Sequence, residues 1–416
     1  MPRALSMLLL LTSIVLLGTS GGEGAEGDWP WWRGPSRDGV ADADQTIPTR
    51  WSEEENILWK TPIPGRGHGS PTVVGNRVYL ATAEADREAR SVLCLDRETG
   101  KVVWSTDVHV GKVTPHKNKK GSDASCSVAC DGERLFVNFL HDNAMVTSAL
   151  SLDGKILWQQ RICDYVVHQA FGSSPAIYGP LVIVSADNKA GGAVAGLNRE
   201  SGEVVWKQSR PKTPNYPSPI ILEASGKTQL LMTGCDVVSS FNPLTGEKLW
   251  EFPGATTECV TSTIVHDGLM LTSGGYPKNH IAAVKCDGSG TVVWENNVRV
   301  YVPSMLVRDG NLYAVTDAGV AMCWDFATGK EMWKGRLGGT FSSSPVLVGD
   351  TIVVTNEAGQ TFLFRARPDE FELIAENRLG DECFATPTLC GDHIYTRVAR
   401  QEKNSRQEYL YCIGKK

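Results

Sequence analysis

Along this chain, short apolar runs rich in Val, Ile, Leu and aromatics alternate with turns built from Gly, Asp, Asn and Pro. No stretch between the turns sustains the three- and four-residue apolar spacing of a useful helix. Runs this short, bounded by such residues, predict β-strands joined by tight turns. They come in sets of four. A Ser-Pro-like pair opens the first run ("GSPTVV", "SSPAIY", "PSPIIL", "SSPVLV"), and a Gly-Asn or Gly-Asp turn leads into the second ("VGNRVYLATA", "VGDTIVVTN"). The third run ends in D/N-x-x-T/S-G ("LCLDRETG", "SSFNPLTG"), and the fourth closes on a tryptophan ("KVVWS", "EVVWK").

Those tryptophans, Trp59, Trp104, Trp158, Trp206, Trp250, Trp294 and Trp333, recur every 39 to 54 residues. A repeat of that period with four strands per unit is the pattern of a β-propeller blade. Ser-Pro-like openings near Ser70, Ser125, Ser174, Ser218, Ser262, Ser304, Ser344 and Thr386 count eight blades. In the seventh of them "FELIAENRLG" is a degenerate fourth strand, with Ala375 in the tryptophan place. The last set stops after its third run, "EYLYCIGKK", and the orphan "NILWKTPIP" near the chain start supplies the missing strand. The expectation is an all-β, eight-bladed propeller over residues 57–416, with four-stranded blades and the ring closed by the N-terminal strand. Closure of that kind removes a free sheet edge. Gly100, Gly202, Gly246 and Gly329, each four residues ahead of a tryptophan, are read as the positive-φ position of the turn. The seven tryptophans are read as structural wedges between blades, since each indole carries a large apolar area.

The spacing "CLDRETGKVVW" (Cys94 to Trp104) and "CWDFATGKEMW" (Cys323 to Trp333) resembles A-x-D-x-x-T-G-x-x-x-W, the tryptophan-docking motif of the quinoprotein alcohol dehydrogenase-like propellers, the PQQ-repeat family. Cys94, Cys323 and Ser240 stand in its Ala slot, which implies a small buried position. The likeness covers nearly the whole chain after the leader and is similar to the outer membrane assembly protein BamB. The opening "DWPWWRGPSRDGV" (Asp28 to Val40) resembles the signature of a large bacterial group of secreted PQQ-like propellers.

Residues 1–26 carry Arg3, an apolar stretch from Leu5 to Leu17 and then small residues. That layout is a secretory signal peptide, too short in its apolar core to span a bilayer comfortably. No cysteine follows the stretch to carry a lipid, unlike BamB. The chain is therefore expected to be exported, periplasmic or secreted, and monomeric, with no transmembrane segment in its mature part. Residues 27–56 are read as an N-terminal strap whose Trp29, Trp31 and Trp32 cap the ring. A net charge of −6 argues against a nucleic-acid partner. The exception, "PHKNKK" (Pro115 to Lys120), is read as a solvated loop. The eleven cysteines are odd in number and lack metal-ligand spacing, so they are read as small buried side chains, with no metal site and no strong disulfide dependence.

Ligands of propellers sit at a mouth of the central channel, on loops leading from an outer strand into the next blade. Those loops place Arg66, His68, His116, His168, Tyr216, Glu258, Arg299, Tyr301 and Glu382 around one end of the ring, as candidate ligand-binding residues. The resemblance implies a PQQ-dependent dehydrogenase as one activity. Such enzymes carry vicinal cysteines over the quinone and a Glu/Asn/Asp set on calcium. This sequence has no adjacent cysteines and no matching calcium set. PQQ with calcium is therefore disfavoured, no cofactor is expected, and no catalytic residue is named. The reading is a binding or interaction module with a protein partner or a small-molecule or carbohydrate ligand. An enzyme using the His-, Glu- and Arg-bearing mouth is the alternative.

Overall fold

The computed structural model describes residues 27–113, 118, 120–403 and 405–416. The leader (1–26) and His116 lie outside them. Thirty-two strands form eight four-stranded antiparallel sheets, with no helix among the described residues. Seven sheets are simple meanders, at residues 72–110, 129–164, 176–209, 220–253, 264–296, 306–336 and 346–378; we number these blades 1 to 7. Blade 8 contains three C-terminal strands, Thr388–Cys390, His393–Glu402 and Ser405–Ile413, and takes Ile57–Ile63 as its outer strand. In that pairing Trp59 faces Cys412 and Ile63 faces Glu408. The ring is an eight-bladed propeller closed by its first strand.

The repeated tryptophan has a repeated partner. Across the ladder it faces Cys94, Ala149, Gly196, Ser240, Ala283, Cys323 or Cys412, all small. The register shifts by one residue beside each of these pairs, and the indole lies over the turn that leads into the outer strand of the next blade, in four of the seven cases a D/N-x-x-T/S-G turn. Its N–H donates to a main-chain carbonyl there: Trp59 to Arg97, Trp104 to Leu152, Trp158 to Arg199, Trp206 to Pro243, Trp294 to Phe326 and Trp333 to Arg367, at 2.7–3.2 Å. This contact explains the turn glycine twice over. Gly246 has φ 71°, and a Cβ there would sit 2.5 Å from the Trp206 ring. The Asp or Asn of the turn is equally constrained, as Asp96 accepts from both the N–H and the hydroxyl of Thr99.

A charged seam locks blade 8 to blade 1. The Arg397 guanidinium donates to buried Glu408, to the Ala81 carbonyl at 2.6 Å and to the Thr82 hydroxyl at 3.0 Å. Arg406 also pairs with Glu408 at 2.7 Å, and the Gly67 N–H donates to the same carboxylate. A second buried pair, Arg210 with Asp187 at 3.1 Å, joins the segment leading from blade 3 into blade 4 to blade 3 itself.

The strap crosses one end of the ring. Trp29 exchanges main-chain hydrogen bonds with Val73 of blade 1, and the Cys130 N–H of blade 2 donates to Pro30. Arg37 donates to the Ile177 carbonyl of blade 3, and Arg33 to the Met305 carbonyl, on the lead into blade 6. Gly39 and Ala41 bracket Leu347 of blade 7. One short segment thus touches the innermost strands on most sides of the ring and plugs that end. Trp29 and Trp31 are buried in the interblade core, and further along Trp51 joins them, its main-chain N–H donating to the Asn377 side-chain oxygen of blade 7 at 2.9 Å.

All eleven cysteines are unpaired thiols, ten of them buried. Burial pushes Cys94, Cys126, Cys130, Cys286, Cys323, Cys383, Cys390 and Cys412 up to about 12. They are small apolar fillers.

Candidate functional site: a one-ended funnel

The end of the channel opposite the strap is open. It encloses about 420 Å³ between the loops that lead into the innermost strands. Its base is set by a belt of hydroxyls. The main-chain N–H of Ser70 donates to the Ser127 hydroxyl, Ser127 to Ser174, and Ser174 to Ser218; on the other side Ser262 donates to Ser304, Ser304 to Ser344, and Ser344 to Thr386, each at 2.8–2.9 Å. The Ser of each Ser-Pro-like pair is therefore a blade-to-blade clasp. The second blade's member is Ser127 and not Ser125, since it is the Ser127 hydroxyl that accepts from Ser70 and the Ser127 N–H that donates to Ser174. Trp32 completes the base: it reaches in from the strap, its indole N–H donates to the Ser262 hydroxyl at 2.8 Å, and it lines the funnel from below.

Four candidates from the sequence, His68, Tyr216, Arg299 and Tyr301, line this funnel. His68 stacks on Phe384 at 4.4 Å between ring centres. Arg299 lies over the Tyr301 ring at 5.0 Å and donates to the Gly275 carbonyl. The Tyr216 hydroxyl is buried near the Gln169 main chain without a hydrogen bond of normal geometry. Burial raises Tyr216 and Tyr301 above the usual phenol range, and the Glu258 charge raises them further.

His168 and Glu258 stand behind the wall. The His168 imidazole lies 3.3 Å from Glu258, whose other oxygen accepts from the Tyr301 hydroxyl at 3.2 Å. Lys189 approaches the second ring nitrogen of His168 at 2.9 Å. Arg66 and Glu382 are placed elsewhere. They face each other at 3.8 Å, and Glu382 accepts from Arg406, so both extend the seam between blades 8 and 1.

The funnel also holds residues that sequence reasoning passed over. Asp317 accepts the Tyr301 N–H at 2.7 Å, and burial raises its carboxyl above the usual range. Lys120, from the basic loop ahead of blade 2, reaches Glu357 beside blade 7 at 2.8 Å, and Ser342 donates to the same carboxylate. Lys120 thus reaches across the mouth. Half-buried Phe384 gives apolar wall, backed by the buried rings of Phe171 and Phe341. Among the described residues no three His, Cys, Asp or Glu side chains gather to hold a metal ion, and no belt hydroxyl is hydrogen-bonded to a histidine or a carboxylate. No described helix is long and apolar enough to cross a membrane.

Comparison with known proteins identifies the family. A profile described as outer membrane protein assembly factor BamB matches residues 49–115, 88–266 and 277–367. The outer membrane protein assembly factor BamB of Moranella endobia is 23% identical over 352 residues, covering 80% of this chain and 83% of that protein. The crystal structure of BamB from Moraxella catarrhalis superposes with TM-score 0.61 at 15% identity, over 85% of this chain and 96% of that one. The quinohemoprotein alcohol dehydrogenase of Comamonas testosteroni superposes with TM-score 0.69 at 13% identity, over 95% of this chain and 82% of that one. At these identities the structural matches speak for the fold alone.

Proposed function

The chain belongs to the PQQ-repeat propeller family described as outer membrane protein assembly factor BamB, and we propose that it is an exported binding module whose ligand or partner engages the funnel. The observation that carries this reading is the funnel's one-endedness. The strap plugs the base and the eight connecting loops wall the mouth, so the channel is a receptacle and not a pore. Clefts of this volume with a few converging polar groups are the usual form of a ligand site. Export rests on the leader-like residues 1–26.

We read the funnel as unsuited to a calcium-held quinone. Its two clear cations, Lys120 and Arg299, share the site with Glu357 and Asp317 and leave no surplus for a tricarboxylate. Among the described residues no three His, Cys, Asp or Glu side chains gather as a calcium-holding set would, and the sequence has no vicinal thiols. The test is thermal melting of purified residues 27–416 with PQQ plus Ca²⁺ and, separately, with fractionated extracellular extract. A ligand of the native state raises the melting temperature by mass action. The expected outcome is a saturable rise with one or more fractions and none with PQQ and Ca²⁺. A saturable rise with PQQ and Ca²⁺ would overturn the assignment.

A further inference from the structure

We infer that the funnel receives a neutral, hydroxyl-rich ring, a saccharide, seated above Trp32. This rests on the reading of the funnel as the binding site and adds the class of ligand. Three independent features of the lining converge on it.

The first is charge. Lys120 and Arg299 are matched by Glu357 and Asp317 within the same lining, and Lys120 and Glu357 are directly paired. A phosphate or carboxylate ligand would demand a cationic excess, and a cation would demand an acidic one. Paired ionic groups instead present donors and acceptors of both senses to a neutral ligand.

The second is the belt. Ser174, Ser218, Ser304, Ser344 and Thr386 line the funnel, and each hydroxyl oxygen already accepts a main-chain N–H. Among the described residues none of the five donates its own proton. A hydroxyl that has accepted keeps one donor to give. The buried Tyr216 hydroxyl, which has no partner at hydrogen-bond geometry, adds a sixth unused donor. An apolar ligand would seal these donors away from water without partners, which is unfavourable. A ligand rich in oxygen acceptors satisfies them.

The third is the aromatic surface. Trp32 at the base and Phe384 on the wall, both half-buried, give apolar ring surface beside the polar groups. A sugar ring has this same duality, an apolar C–H face and a rim of hydroxyls. The strap therefore does more than plug one end of the ring: its Trp32 is the specificity-determining platform of the site.

The experiment is isothermal titration, with ligand-detected NMR for weak cases, of residues 27–416 against neutral hexoses, N-acetylhexosamines and their α- and β-linked oligomers. The matching uronic acids and amino sugars serve as charged comparators. At least one neutral saccharide is expected to bind saturably, and its charged counterparts about tenfold or more weaker, a step equivalent to one factor of ten in the dissociation constant. Trp32→Leu is expected to weaken binding about tenfold or more. Tyr216→Phe, which removes a single hydroxyl and leaves the strap untouched, is expected to weaken it about five- to tenfold. Failure of every neutral saccharide to bind overturns the inference, as does undiminished binding in both variants. If a charged ligand or a peptide from the extract proves to occupy the funnel instead, the binding reading stands and the saccharide class alone falls.

Discussion

Replacing Trp206 with Ala tests the interblade wedge, because every part of that contact is defined. The indole is only 7% exposed. It faces Gly196 across the ladder, lies against Gly246 of the next blade, and donates to the Pro243 carbonyl at 3.1 Å. Truncating a buried tryptophan loses both transfer energy and packing, about 3–5 kcal/mol. The Pro243 carbonyl loses a partner worth about 1 kcal/mol, already part of that range. With an unfolding entropy of about 2.1 cal/mol/K per residue over residues 57–416, a loss of ~4 kcal/mol lowers the melting temperature by about 5 °C. Equilibrium urea unfolding gives the free energy directly, provided the transition is reversible and single. Trp104, whose indole N–H lies in exposed surroundings, is the internal control and is expected to lose clearly less on the same substitution. A Trp206→Ala loss below about 1 kcal/mol, or a larger loss at Trp104, would refute the wedge argument.

Three further outcomes follow from other parts of the structure. Starting the chain at Thr61 removes most of the closing strand, exposing the Ser405–Ile413 edge; a folded protein with unchanged melting temperature would contradict the closure. Glu408→Gln is expected to destabilise by about 3–5 kcal/mol, since it leaves the buried Arg397 guanidinium without its counter-charge, and a neutral result in urea melts would show the seam to be dispensable. The His109 imidazole is lowered to about 3, chiefly by burial and further by nearby His141 and Arg90. Its neutral form is favoured in the fold, so its contribution is complete above the ordinary histidine value and is lost as pH falls from about 6.5 toward 3. Relative to His109→Phe, the wild type is expected to lose at most about 1.4 kcal/mol per pH unit across that window, and parallel stability curves would contradict the assignment.

The architecture was legible because each blade repeats its own local logic. The small residue opposite each tryptophan, the turn glycine and the orphan first strand all left their mark at fixed spacing. The site was legible only as a neighbourhood. Arg66 and His68 share one loop, yet one joins the seam with Glu382 and the other lines the funnel, because loop membership does not fix the direction of a side chain. The belt was hidden in plain view: Ser-Pro reads as strand punctuation, and its role as a clasp depends on a neighbour some forty residues away. Trp29, Trp31 and Trp32 form one run in sequence, yet only Trp32 lines the funnel, a division set by the path of the strap. Lys120 is exposed, as its basic loop suggested, but its ion pair was not legible because Glu357 comes from the far side of the ring.

The central claim is that recognition occurs inside the funnel. Ser342→Trp places an indole in the lining at a half-exposed position and leaves the belt, the strap and the interblade tryptophans intact. The most direct measurement is the ligand-induced rise in melting temperature, for whichever extract fraction or saccharide stabilises the wild type, repeated on this variant. The rise is expected to disappear while the unliganded melting temperature stays close to that of the wild type. A rise of the same size in the blocked variant would place recognition on another surface of the ring and contradict the account.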